Sequence, residues 1–228
     1  MRISHLFILL AASAMLTACD FLDEYNPNSV TVGNYYTSEE DIVASLNGVY
    51  TSLTQSYVAD NYHYFTDVRA NATVVTNSGA NSGIPYQFYN YTLTEENVYV
   101  YNRYSQLYKI ISRANTLFAH LGDVSYATPS ARDTYEAEAR FLRAYYYFCL
   151  MRLYGPVVLL GEGVADFNDL ALRERDRNPW DECVDWVAEE CRKAAADLPL
   201  TQPDSYLGRA TKLSLIHISE PTRRTPIS

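Results

Sequence analysis

Residues 136–148 read EAEARFLRAYYYF, and residues 153–157 follow with LYGPV. Between Ala131 and Tyr154 the positions Tyr135, Ala139, Leu142, Tyr146, Cys149, Leu150 and Leu153 fall at steps of three and four, one stripe of a helix. Phe141, Ala144, Tyr145 and Phe148 fill the neighbouring flank. A helix that is apolar nearly all round must be covered on most sides, so this one is expected at the centre of a helical core. Gly155-Pro156 ends it, because proline cannot continue a helix and glycine tolerates the turn. The next residues, VVLLG (157–161), read as a short buried extended piece.

Working outward, YSQLYKIISRANTLFAHL (104–121) places Leu107, Ile110, Ile111, Ala114, Leu117, Phe118 and Leu121 at helical spacing. Trp180 to Leu198 does the same with Trp180, Val184, Val187, Cys191 and Ala195, and Pro199 stops it. Upstream, Thr37-Ser38-Glu39-Glu40-Asp41 has a hydroxyl cap and an acidic first turn, leading into Ile42, Leu46 and Tyr50. Residues 51–65 continue less regularly. From Thr66 to Asn102 the chain is rich in Asn, Ser, Gly and Tyr, which predicts a long irregular segment; its aromatics favour an ordered binding role over disorder. Successive antiparallel helices raise the question of repeats. Ala144-x3-Phe148-x7-Pro156 fits the second helix of a tetratricopeptide repeat. It fits an ordinary helical hairpin equally well, since the preceding helix lacks the Trp and Leu-Gly signature.

The two ends read differently from this body. Arg2 followed by an apolar run from Leu6 to Leu16 is a secretory leader, too short to span a bilayer comfortably. It closes on Leu16-Thr17-Ala18-Cys19, which resembles the bacterial lipobox, so residues 1–18 are expected to be removed and Cys19 to carry lipid, as only a thiol is nucleophilic enough. Several acyl chains on one residue make a stable membrane anchor. Residues 19–38 are then a tether and residues 39–212 a helical domain. From Leu213 to Arg223 the sequence coincides with the translation of a transposase-type sequencing adapter, so residues 213–228 are expected to be an artefact tail on a truncated domain.

Composition narrows the function. Setting the ends aside removes Arg2, Arg223, Arg224 and Glu220, which takes the net charge from −9 to −11. Such a surface repels phosphate backbones and anionic lipid alike, so no nucleic-acid partner is expected. The 21 tyrosines combine a rigid apolar ring with a hydroxyl, suited to sugar-facing surfaces and equally to packing between helices. The carboxylate pairs Glu136/Glu138, Glu189/Glu190 and Asp181/Asp185 lie on predicted helices with basic neighbours, where solvated faces explain them, so the chain is not expected to be an enzyme. His63 and His120 stand apart from any metal-ligand spacing, and no cofactor motif is present. Cys149, Cys183 and Cys191 are odd in number, and Cys183 and Cys191 are too far apart along one helix to bridge.

The EAEARFLRAYYYF stretch with LYGPV resembles the SusD/RagB family of outer-membrane lipoproteins, with Val158 where the family usually has proline. Further points of resemblance are the lipobox with DFLDE, the Tyr108-Lys109-x-Ile111-x-Arg113-Ala114-Asn115 helix, Asp197-Leu198-Pro199, and Gly208-Arg209-Ala210-Thr211-Lys212. The resemblance implies a mainly α, tetratricopeptide-like scaffold with an irregular, loop-rich ligand face. It implies a lipid-anchored protein on the outer membrane, facing the exterior, that passes oligosaccharide, or in some members peptide, to a TonB-dependent SusC-like transporter. A helical scaffold without a small ligand is the alternative class. Asp20, Asp23 and Glu24 resemble a surface-export signal. Stacking on pyranose faces and paired hydrogen bonds to vicinal hydroxyls call for aromatic rings beside planar polar groups. Residues 66–102 supply both in Arg69, Asn71, Asn81, Tyr86, Phe88, Tyr89 and Tyr91. The alternative for these rings is packing beneath the loop.

Overall fold

The computed structural model describes residues 35–75, 83–161 and 174–215. The expected leader, the lipidation position Cys19, Asn81 and the tail beyond 215 lie outside the described residues. The helices α1 (Glu39–Thr51), α2 (Gly83–Tyr89), α3 (Val98–His120), α4 (Pro129–Tyr154) and α5 (Trp180–Asp197) all belong to the unit that starts at Tyr36. Among the described residues there is no strand.

Helices α1 and α3 start at side-chain caps. Ser38 and Asp41 form a capping box on α1: the Ser38 hydroxyl accepts from Asp41 N–H, and the Asp41 carboxylate accepts from Ser38 N–H at 2.9 Å. Bonds from the Thr37 backbone and from the Ser38 and Thr37 hydroxyls hold the Asp41 carboxyl below its usual pKa. Asn97 caps α3, its side-chain oxygen accepting from Tyr99 and Val100 N–H. Pro129 begins α4 at the one place where a missing N–H costs nothing. Gly155 ends α4 with φ 72°, a left-handed geometry that a side chain would strain.

The central helix is α4. It packs against α1, α3 and α5, and Ala139, Leu142, Ala144, Tyr146, Tyr147 and Leu150 on it are buried. Leu107, Ile110, Ile111, Ala114 and Leu117 of α3 are fully buried against the same core. Burial of each such aliphatic side chain contributes about 1.5–3 kcal/mol before the entropy of ordering it.

Two buried polar clusters lock these helices in register. Arg143 of α4, 1% exposed, donates to Glu190 of α5 at 2.5 Å and to the Asn115 side chain of α3 at 2.7 Å. Its guanidinium lies 4.2 Å above the Phe118 ring, and Arg140 adds a second bond to Glu190 at 3.0 Å. The other cluster centres on Glu138, 1% exposed, which accepts from Tyr50 Oη at 2.7 Å and pairs with Arg209 at 3.5 Å. Burial raises the Glu138 pKa, opposed by the Tyr50 bond and by Arg209. The expectation of solvated carboxylates is thereby corrected for Glu138 and Glu190. Apart from Lys193, 3.7 Å from Glu190 on the same helix, their cationic partners lie far along the chain, so those pairs close only in the folded core.

The 157–161 segment is extended and joins no sheet. Its backbone is satisfied by side chains: Tyr108 Oη accepts from Val158 N–H and donates to Val158 C=O, both at 3.0 Å. Tyr147 Oη accepts from Leu160 N–H at 2.8 Å, Asn178 Oδ1 from Leu159 N–H at 2.8 Å, and the Asn115 amide donates to Gly161 C=O. Much of the tyrosine content therefore serves as internal latches, Tyr146 to Val49 C=O and Tyr154 to Val100 C=O among them.

Two expectations change. The irregular stretch 66–102 contains α2 and the first turn of α3. Residues 51–65 are helical in short pieces, the end of α1 at Thr51, a 3-10 turn (Ser52–Thr54) and residues 62–63 leading into a π-helical turn (Tyr64–Val68), with turns between. At the other end, residues 212–215 are helical, and Leu215 is buried in the core. Cys149, Cys183 and Cys191 are free thiols.

Removing one partner of a buried pair strands the other charge. Glu190→Ala is expected to cost about 3–5 kcal/mol in urea unfolding, against less than about 1 kcal/mol for Glu189→Ala, whose carboxylate is 41% exposed. Tyr147→Phe leaves the Leu160 N–H without its acceptor and is expected to cost about 1–3 kcal/mol in the same measurement.

Candidate functional site

The residues expected to face a ligand gather around α2, the π-helical turn and the start of α3. Phe65, Val68 and Phe88 form a small apolar cluster beneath, with Tyr64, Tyr89, Leu93 and Tyr99 packed against it. Phe88 has no exposed surface, its ring 4.9 Å from Phe65 and 5.7 Å from Tyr64. A ligand cannot reach it. On this seven-residue helix the register that buries Pro85 also turns Phe88, three residues on, inward, so here the alternative of packing beneath the loop holds.

The other residues stand nearer the surface. Tyr86 and Tyr89 are half-buried, their rings 5.5 Å apart and tilted by 41°. Arg69 and Asn71 are exposed just beyond the π-helical turn. Tyr91 is 60% exposed, and its hydroxyl donates to Arg69 C=O at 2.7 Å, which ties α2's exit to the Arg69 turn. Asn71 and Tyr91 both adopt left-handed backbone, with φ 56° and 59°. For a residue as bulky as Tyr91 that conformation is strained, and such strain concentrates where geometry serves function. The outcome is an exposed aromatic face tied by its hydroxyl to the turn that carries Arg69 and Asn71.

Asn97 does not stand out in the sequence as a candidate residue, yet it holds this region together. Besides capping α3, its amide donates to Ile84 C=O at 3.1 Å and to the Gln87 side chain at 2.8 Å. Its signal is an Asn ahead of an apolar run, hidden inside an Asn-rich stretch. Tyr101, Val98, Ile84 and Val74 are also exposed in this part of the chain.

Among the described residues, two clefts lie away from this region. One, of about 370 Å³, runs between α4 and α5 past Asp133, Glu136, Arg140 and Arg192. The other, of about 340 Å³, lies along α1 near Glu39, Asn47, Tyr135 and Tyr206. Neither includes the aromatic face. In the first, Glu136 is paired with both Arg132 and Arg140, an arrangement of internal ion pairs and not a poised acid and base. Among the described residues no group of three metal-binding side chains occurs, and no helix is long and apolar enough to cross a membrane.

Known proteins share this architecture. A family model described as "Starch-binding associating with outer membrane" matches residues 20–216. SusD-like protein P38 of Formosa agariphila is 28% identical over 94% of this chain, and the chain spans 41% of that relative's length. Among solved structures, a laminarin-binding SusD-like protein shares the fold with TM-score 0.70 at 22% identity, over 82% of this chain and 40% of its own. Surface glycan-binding protein A from Bacteroides thetaiotaomicron, solved with laminarihexaose, gives TM-score 0.65 at 16% identity over 81% of this chain and 38% of its own. With a match that runs through every helix from α1 to α5, the chain belongs to the SusD-like family of starch-binding, outer-membrane-associated proteins.

Proposed function

We propose that this chain captures oligosaccharides at the cell exterior and passes them to a TonB-dependent SusC-like transporter, with no catalytic step of its own. Tyr91 carries the reading: an exposed ring, strained in its backbone and tethered by its hydroxyl, beside the exposed Arg69 and Asn71. A ring held this way meets the C–H face of a pyranose without losing rotamer freedom on binding. Arg69 and Asn71 supply planar donors for vicinal hydroxyls, and Tyr86 and Tyr89 extend the apolar surface. The acidic charge of the chain suits a neutral ligand over a polyanionic one. Glycan ligands of family relatives support the substrate class, and laminarihexaose is the natural first probe.

The anchor belongs to the same proposal. Residues 1–18 direct export, Cys19 takes the lipid, and residues 19–38 connect it to the helical domain.

Calorimetric titration with laminarihexaose and a wider glycan panel tests the face. Tyr91→Ala and Arg69→Ala are each expected to weaken binding about tenfold. Unchanged affinity in these two and in Tyr86→Ala would reject the assignment. For the anchor, Cys19→Ser is expected to move the protein out of the membrane fraction and abolish labelling by palmitate. A variant that stays membrane-bound would overturn it.

A further inference from the structure

Arg103 sits on the second turn of α3 with 2% exposure, and no carboxylate of the described residues bonds to it. Its Nη1 donates to Tyr57 C=O and Val58 C=O, both at 2.9 Å, and its Nε has no acceptor. The Tyr62 ring lies 4.6 Å and the Phe65 ring 5.3 Å from the guanidinium carbon. Arg140, Arg143 and Arg209 each face a carboxylate, so Arg103 differs from these other well-buried arginines. A buried cation without a counter-ion is a cost to folding, and burial draws its pKa below the usual value. Such a cost calls for a compensating role.

The segment gripped by Arg103 supplies one. Residues 55–61 are turns and bends, held internally by Val58 N–H and Ala59 N–H to Gln55 C=O and Asn61 N–H to Ser56 C=O. The two carbonyls bound by Arg103 fix that stretch to α3. It leads directly into the π-helical turn, where Phe65 meets Phe88 and beyond which Arg69 and Asn71 emerge.

We infer that Arg103 is a positioning residue: it braces residues 57–65 against α3 and, through the Phe65–Phe88 contact, holds Arg69, Asn71 and Tyr91 in ligand-ready geometry. This rests on the glycan-binding face proposed above. It predicts that stability and affinity separate. Arg103→Met removes the unpaired buried charge while keeping an apolar stem, and that relief offsets the loss of a donor to the Tyr57 and Val58 carbonyls.

The test compares wild type, Arg103→Met and Arg103→Lys by urea unfolding, by amide hydrogen exchange and by titration with laminarihexaose. Arg103→Met is expected to unfold at the same or a higher urea concentration. Its amides in 57–71 should exchange at least about tenfold faster and its affinity fall about tenfold, as two hydrogen bonds are lost. Arg103→Lys, which keeps donors for both carbonyls, is expected to recover part of each. Unaltered exchange in 57–71 overturns the brace, as does faster exchange spread over the whole chain. Faster local exchange with wild-type affinity overturns its link to the ligand. A wild-type protein that binds no glycan sinks the functional reading instead, and the exchange comparison then decides the brace alone.

Discussion

The Glu190 carboxylate, sealed between α4 and α5 under two guanidinium groups, fixes how the central helices meet. Apolar stripes alone allow a helix to slide or rotate against its neighbour at modest cost, because one leucine contact replaces another. A buried charge allows no such substitution: a shift of one turn would leave Glu190 or Arg143 desolvated and unpaired, a loss of several kcal/mol. Asn115 extends the constraint to α3 and, through its amide, to Gly161. Three helices and the extended segment after α4 thus share one polar reference point. Arg143 also stacks on Phe118 and Trp186, so aromatic faces solvate the charge where water cannot.

Tyrosine solves a second problem in the same fold. The 155–161 strip crosses the core without a neighbouring strand, and its amides and carbonyls would be orphaned if the wall around it were aliphatic. Tyr108 and Tyr147 bring their hydroxyls to it on apolar rings, so one residue type supplies both packing volume and the missing hydrogen bonds. The same amphipathic character, turned outward at Tyr91, gives the aromatic face. Interior latch and exterior platform use identical chemistry in different surroundings.

That dual use explains what is and is not legible in the sequence. Helices α3, α4 and α5 are readable because their apolar residues recur every three or four positions, and Leu107, Leu142 and Val187 are buried as that spacing requires. Helix α2 is not. Seven residues are too few to be helical on their own propensity, and this one exists through Phe88's burial and Asn97's grip on Ile84. The side of α2 that faces outward follows from that packing, so the sequence alone offers Phe88 to a ligand when it is core. The burial of Glu138 and Glu190 is likewise hidden, since Arg209 and Arg143 lie 71 and 47 residues away along the chain. Arg69, Asn71 and Tyr91 are legible as residue types, but their meeting depends on two left-handed backbone positions that composition does not reveal.

The closure of the Glu138 cluster sets an order of events during synthesis. Tyr50 accepts a hydrogen bond from Ala210 N–H, a contact across 160 positions, and Arg209 reaches the Asn47 side chain across 162. Until the ribosome has released residue 210, Glu138 has no cation and α1 has no clasp on its open side. The nascent helices can pair locally, yet this side of α1 stays open until residue 210 has emerged, as expected when distant contacts complete a domain.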